Sequence, residues 1–211
     1  MHLQLSPDAT VVFQGDSITD SGRRDQPGDG LGNGYARMSA DLLRAAHPGS
    51  GLTFINRGIS GNRVADLRAR WQDDTLVLEP DLVSVMIGIN DTWRRYDADD
   101  PTTAEAYEED YRSILTRVRD HTAAQLLLIE PFLVPVKPEQ WRWRADLDPR
   151  IHIVRRLAEE FDTALLAADG LLNQTARTEK DPAKVAEDGV HPTPLGHRTL
   201  ARAWTELVSI G

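Results

Sequence analysis

Short apolar runs alternate with longer amphipathic stretches along this chain. Five runs have strand length: Thr10-Val11-Val12-Phe13-Gln14, Leu52-Thr53-Phe54-Ile55-Asn56, Leu82-Val83-Ser84-Val85-Met86-Ile87, Gln125-Leu126-Leu127-Leu128-Ile129 and Ala164-Leu165-Leu166-Ala167-Ala168. Gly15, Gly58 and Gly88 follow the first three, and Pro131 stops the fourth. Apolar residues fill these runs instead of alternating with polar ones. That pattern predicts strands covered on both faces, as in a parallel sheet.

Between the runs the period becomes helical. Tyr107, Tyr111, Ile114, Leu115 and Val118 share one helix face, with Thr102 and Glu105 at capping-box spacing before it. Asp148-Pro149 predicts an N-cap and first helical residue ahead of Ile151, Val154, Leu157 and Phe161. Thr193-Pro194 repeats that signal before a last helix that turns Leu195, Leu200, Ala203, Trp204 and Leu207 inward. The alternation predicts an α/β protein, a three-layer α/β/α sandwich on a five-stranded parallel sheet. No repeat, linker or low-complexity tract interrupts the 211 residues, so one domain over residues 1–211 is expected. Residues 28–34, Gly-Asp-Gly-Leu-Gly-Asn-Gly, read as a mobile loop before a helix starting near Tyr35. They follow no strand directly and lack G-x-G-x-x-G spacing, so they are no dinucleotide fingerprint.

Charge and composition remove several functions. The chain carries 33 acidic and 24 basic residues, a net charge of −9. Phosphate and anionic lipid both call for basic patches, so neither nucleic acid nor a membrane surface is an expected partner. There is no cysteine, which excludes disulfides, thiolate catalysis and Cys-ligated zinc. Residues 1–8 have neither the basic nor the apolar region of a signal peptide, and no apolar run reaches membrane-spanning length. A cytoplasmic location is the expectation.

In an open parallel sheet, ligands sit beyond the carboxyl ends of the strands. Three such ends are polar and glycine-rich: Gly15-Asp16-Ser17-Ile18-Thr19-Asp20, Arg57-Gly58-Ile59-Ser60-Gly61-Asn62 and Gly88-Ile89-Asn90-Asp91. Asp188-Gly189-Val190-His191-Pro192-Thr193 precedes the last helix. Acyl transfer needs a hydroxyl with a base, an imidazole with an orienting carboxylate, and aligned N–H donors for the oxyanion. Ser17 could supply the hydroxyl, His191 the base and Asp188 the carboxylate. The backbone N–H groups of Ser17 and Gly58 and the Asn90 amide could form the oxyanion hole. Each piece alone has a plainer reading: Ser17 and Asn90 as helix-cap neighbours, Gly58 as a tight turn, Asp188 and His191 as a loop. What separates the two readings is that all four pieces fall in order at one end of one sheet.

Those same residues carry a family likeness. Gly15-Asp16-Ser17-Ile18, Gly58, Gly88-Ile89-Asn90-Asp91 and Asp188-Gly189-Val190-His191-Pro192 resemble the four blocks of the SGNH (GDSL-type) hydrolases, with Ile18 where the family name has leucine. The resemblance implies a flavodoxin-like sandwich and cofactor-free, metal-free hydrolysis of esters or thioesters. It implies Ser17, Asp188 and His191 as the triad, and Ser17, Gly58 and Asn90 as oxyanion donors. It also leaves room for a homo-oligomer. Asn56-Arg57-Gly58-Ile59-Ser60-Gly61-Asn62, Ala69-Arg70-Trp71-Gln72 and Gly88-Ile89-Asn90-Asp91-Thr92-Trp93-Arg94 resemble the small bacterial acetylxylan-esterase branch, which removes acetyl groups from sugar hydroxyls. The expected substrate is therefore a small ester, an acetylated sugar such as an acetylated xylooligosaccharide.

Asp16 and Trp93 are expected to line the substrate pocket. Trp141 and Trp143 follow the proline-bounded segment that ends at Pro138; their rings suit sugar faces, a lid or a subunit contact. Trp71 reads as core. His2, His47, His121, His152 and His197 are scattered and make no metal motif. Ser60 is a rival nucleophile without an acid–base pair nearby in sequence. Two other functions compete: a lysophospholipase or thioesterase on the same triad, and a non-catalytic flavodoxin-like binding module. The first needs an apolar groove that the sequence does not display. The second is disfavoured by the missing phosphate loop and the complete triad.

Overall fold

The computed structural model describes residues 2–25 and 28–211. Its strands are β1 (Leu3–Leu5), β2 (Thr10–Gly15), β3 (Thr53–Asn56), β4 (Leu82–Met86), β5 (Gln125–Ile129), β6 (Ala164–Leu166) and β7 (Val208–Ile210). Five of them form a parallel sheet in the order β3-β2-β4-β5-β6, and β1 pairs with β7 beside it. This is the expected α/β sandwich. The chain crosses from β2 to β3 on one side and returns to β4 on the other. The crevice of such a sheet opens where the order reverses, at the carboxyl ends of β2 and β4. Ser17 and Asn90 stand just past those ends.

Continuous apolar runs predicted burial on both faces, and the packing shows why. Along β5, Leu127 and Ile129 enter one core while Leu126 and Leu128 enter the other. The first core adds Phe13, Tyr35 and Trp204, from β2, α2 (Tyr35–Ala46) and α8 (Pro194–Thr205). The second holds Trp71 of α3 (Val64–Asp74) and Tyr107 and Tyr111 of α5 (Ala104–His121). All five apolar positions expected on α5 are buried. The remaining helices are α1 (Ser17–Asp20), α4 (Ile89–Asp97), α6 (Arg144–Glu160) and α7 (Ala168–Glu179).

Several boundaries differ from expectation. Thr103, not Thr102, caps α5 and accepts from the Ala106 N–H at 3.1 Å. The Thr102 carbonyl instead accepts from Arg150. Helix α6 begins at Arg144, so Pro149 lies inside it and not at its start. Both Pro149 and Ala145, the residue whose carbonyl the proline deprives of its helical partner, are exposed. On α8, Thr193 and Pro194 act as expected: the Thr193 hydroxyl accepts from Leu195 and Gly196 N–H groups. Leu200 and Trp204 are buried as expected, whereas Leu195, Ala203 and Leu207 are only half-buried. Gly196, His197 and Ala201 complete that face. Strand β6 is short because Ala168 already begins α7.

Candidate active site

Strand β2 delivers its last residue against a neighbouring backbone. A Cβ on Gly15 would lie 2.4 Å from the Met86 carbonyl oxygen, so only glycine lets β2 end this close to β4. Asp16 then caps the short helix α1 by accepting from the Ile18 N–H at 3.0 Å. Ser17, the first residue of that helix, is half-buried. Its own N–H has no hydrogen-bond partner among the described residues.

Ser17 Oγ lies 2.9 Å from His191 Nε2, and His191 Nδ1 lies 2.7 Å from Asp188 Oδ2. An ionised carboxylate only accepts, so Nδ1 carries the proton and Nε2 is left to accept from the serine hydroxyl. Partial burial alone would raise the Asp188 carboxyl. The hydrogen bonds it accepts from the His191 ring, the His191 N–H and the Val190 N–H outweigh that and hold it well below the usual carboxylate range. The same bond to Asp188 raises the His191 imidazole above its ordinary 6.5, against the lowering effect of burial.

The turn bearing this pair is clamped from outside. Gly189 has φ +90°, and its carbonyl accepts from the Val134 N–H at 2.9 Å. Gln140, 5% exposed, donates from Nε2 to the Asp188 carbonyl at 2.6 Å. Its Oε1 accepts from the N–H groups of Val136 and Lys137. A Cβ on Gly189 would sit 2.7 Å from the Gln140 amide nitrogen. Sequence reading missed Gln140, since one glutamine in a proline-bounded loop carries no pattern.

The oxyanion loop requires a correction. The Gly58 N–H, expected to point at the substrate, instead donates to Asn56 Oδ1 at 2.9 Å. A Cβ on Gly58 would lie 2.3 Å from the Asp20 nitrogen, so this glycine serves close packing of the loop on α1. Gly61, three residues on, has φ +83° and open space around its Cα, and its N–H has no partner among the described residues. Asn90 is 3% exposed and uses one amide hydrogen on the Asn62 carbonyl at 3.1 Å. That contact brings Asn90 beside the Gly61 peptide and leaves its second amide hydrogen unengaged. Four side-chain bonds tie the loop to α1 and its flank. Asn56 donates to the Thr19 carbonyl at 2.6 Å, and Arg23 to the Gly58 carbonyl at 2.6 Å. Asp20 Oδ2 accepts from the Ser60 N–H at 3.0 Å and from the Ser60 hydroxyl at 3.1 Å. That last bond occupies the rival serine.

Of the two expected pocket residues, only Trp93 packs its ring beside His191. Its ring centroid is 5.9 Å from that of His191 and 5.6 Å from that of Trp143. Tyr96 stacks on Trp143 at 5.4 Å and 11° between planes. Asp16 is corrected: it is 1% exposed, and its carboxyl points into the protein as a cap, not into a pocket. Burial pushes this carboxyl up to about 7, partly offset by the Ile18 N–H and the His191 charge. His197 is buried too; burial lowers it to about 4, and its Nδ1 accepts from the Tyr35 N–H at 3.1 Å. Among the described residues no cluster of His, Asp and Glu is arranged to hold a metal ion. No described helix is long and apolar enough to cross a membrane.

Comparison with known proteins agrees with this geometry. The model of the GDSL-like lipase/acylhydrolase family matches residues 13–199. An acetylxylan esterase of Geobacillus stearothermophilus is 37% identical over 209 residues, 96% of this chain and 94% of that protein. The crystal structure of that enzyme, Axe2, superposes with a TM-score of 0.86 over 94% of this chain and 93% of its own. A GDSL-like protein of Parabacteroides merdae superposes with a TM-score of 0.91 at 33% identity over 98% of each chain. The fold, the Ser–His–Asp geometry and these likenesses converge: the chain belongs to the GDSL-like lipase/acylhydrolase family and is a serine ester hydrolase.

Proposed function

We propose that this enzyme removes O-acetyl groups from sugar hydroxyls, with acetylated xylooligosaccharides as the substrate class. The observation that carries the chemistry is the continuous relay from Ser17 through His191 to Asp188, at 2.9 and 2.7 Å. Ser17 Oγ attacks the acetyl carbonyl carbon while His191 Nε2 takes the hydroxyl proton. Negative charge gathers on the carbonyl oxygen, where the N–H groups of Ser17 and Gly61 and the Asn90 amide are the donors. The intermediate collapses, His191 returns the proton to the departing sugar oxygen, and the acetyl group rests on Ser17. Water, deprotonated by His191, attacks that ester. Ser17 leaves with the proton and acetate is released. Asp188 keeps the imidazole oriented and stabilises its cation throughout.

Two observations support the sugar acetate as substrate. The 37% identity to an acetylxylan esterase runs along 96% of the chain, not through the motif blocks alone. Trp93 and Trp143 also form an aromatic wall beside His191, a surface that suits the flat face of a pyranose. The test is acetate release from acetylated xylooligosaccharides by the parent enzyme and by Ser17→Ala. Release by the parent and its loss in the variant are expected. No release from any acetylated sugar, alongside rapid cleavage of long acyl esters, would overturn the substrate.

A further inference from the structure

A cavity of about 580 Å³ lies outside the triad, between the segment that follows β5 and one face of α7. Val134 and Pro135 line it from the first side, and Asn173, Arg177 and Lys180 from the second. Trp141, 64% exposed, stands at its edge. The shape is that of a groove. Asp169 and Lys180 both line it, and eleven residues of helix span about 16 Å.

Its upper end abuts the catalytic turn. Val134, in the groove wall, donates its N–H to the carbonyl of Gly189, the residue after Asp188. Trp141 and Trp143 belong to one 3-10 helix, Pro138–Trp143. With three residues per turn, side chains two positions apart point about 120° apart. One ring therefore joins the wall beside His191, through Trp93, while the other faces the groove.

Some of the groove's polar groups are engaged within the protein and others are not. Arg144 is committed to Asp148 and Asp169, and Glu179 to Lys184. Arg177 and Lys180 are exposed and form no ion pair among the described residues. Asn173 spends its amide nitrogen on the Leu133 and Asp169 carbonyls, which leaves its oxygen to accept. An aromatic plate, two free cationic donors and an amide acceptor along an elongated groove fit a chain of hydroxylated rings. They fit an acyl tail poorly, since an acyl tail needs no donors.

We propose that this groove is a binding subsite for the sugar chain of the substrate, distant from the ester under attack, and that Trp141 is its platform. The inference rests on the oligosaccharide reading above and adds to it a preference for longer chains.

The test uses the full-length enzyme, Trp141→Ala, and Arg177→Ala combined with Lys180→Ala. Substrates are p-nitrophenyl acetate, an acetylated monosaccharide and acetylated xylooligosaccharides of increasing length. Each variant is expected to raise KM on the longest oligosaccharides by roughly tenfold, the size of one aromatic anchor. Values on p-nitrophenyl acetate and the monosaccharide are expected to stay parental, and Trp141→Phe to restore most of the loss. Equal losses on all substrates, or parental KM on the long ones, would overturn the subsite. So would a changed oligomeric state of Trp141→Ala with unchanged KM. A parent enzyme that deacetylates short and long chains equally well refutes the subsite but leaves the proposed function standing. A parent enzyme inactive on every acetylated sugar refutes both.

Discussion

His191 can take the Ser17 proton only while its Nε2 is unprotonated, so activity follows the imidazole. The hydrogen bond to Asp188 favours the charged ring and raises its pKa above the ordinary 6.5. As pH falls through that raised value, the imidazolium forms and the base is lost. The acid limb of kcat/KM on p-nitrophenyl acetate should therefore have its midpoint above 6.5. A midpoint at or below 6.5 would contradict the Asp188–His191 pairing. At the oxyanion, Asn90→Ala should lower kcat by roughly 10²–10³-fold with little change in KM. A parental kcat would remove Asn90 from the site. The Ser17–His191–Asp188 hydrogen-bond relay was legible because each residue stands at a strand end or in the last loop, with residue types that acyl transfer uses together. The glycines were not. Gly58 and Gly61 sit three apart in one loop, and only the occupied Gly58 N–H tells the packing glycine from the free donor. Asp16 was misjudged for a related reason: adjacency to Ser17 in sequence says nothing of the side to which a carboxyl turns.

Elements hold these residues in register, and the 3-10 helix Pro138–Trp143 does so from outside the sheet. Its Gln140 fixes the Asp188 carbonyl, and thereby the angle at which the carboxylate meets His191. Gln140→Leu keeps the volume and removes the donor. A bond of this kind is worth about 1 kcal/mol, so kcat should fall roughly five- to tenfold while KM stays near parental. The acid limb should also move toward 6.5 as the Asp188–His191 bond loosens. An unchanged kcat and pH profile would make Gln140 a packing residue only. All five strands of the main sheet could be read from their apolar runs; burial on both faces leaves a near-continuous signal in the central β4, and the edge strand β3, which exposes Thr53, still carries Phe54 and Ile55. The β1–β7 pair could not: each strand is three residues with a polar residue, Gln4 or Ser209, at its centre, so neither shows an apolar run. The start of α6 was misplaced because Pro149 imitates a first-turn proline while sitting on an exposed helix face.

Across the whole molecule, the order β3-β2-β4-β5-β6 gathers four distant chain segments at one rim. Ser17 and His191 are 174 residues apart in sequence and 2.9 Å apart in space. Sequence could specify that convergence because a parallel sheet presents every strand's carboxyl end on the same side. It could not specify the groove along α7, which arises from two elements packing side by side and leaves no motif in either. The proposed mechanism requires an acyl-enzyme on one serine, Ser17. The direct measurement is mass spectrometry of enzyme quenched during turnover of an acetylated xylooligosaccharide, followed by peptide mapping. The expected result is one acetyl group on the peptide carrying Ser17, absent when Ser17→Ala is treated identically. Acetate release by Ser17→Ala at the parental rate, or an acetyl group trapped on another residue, would contradict the mechanism.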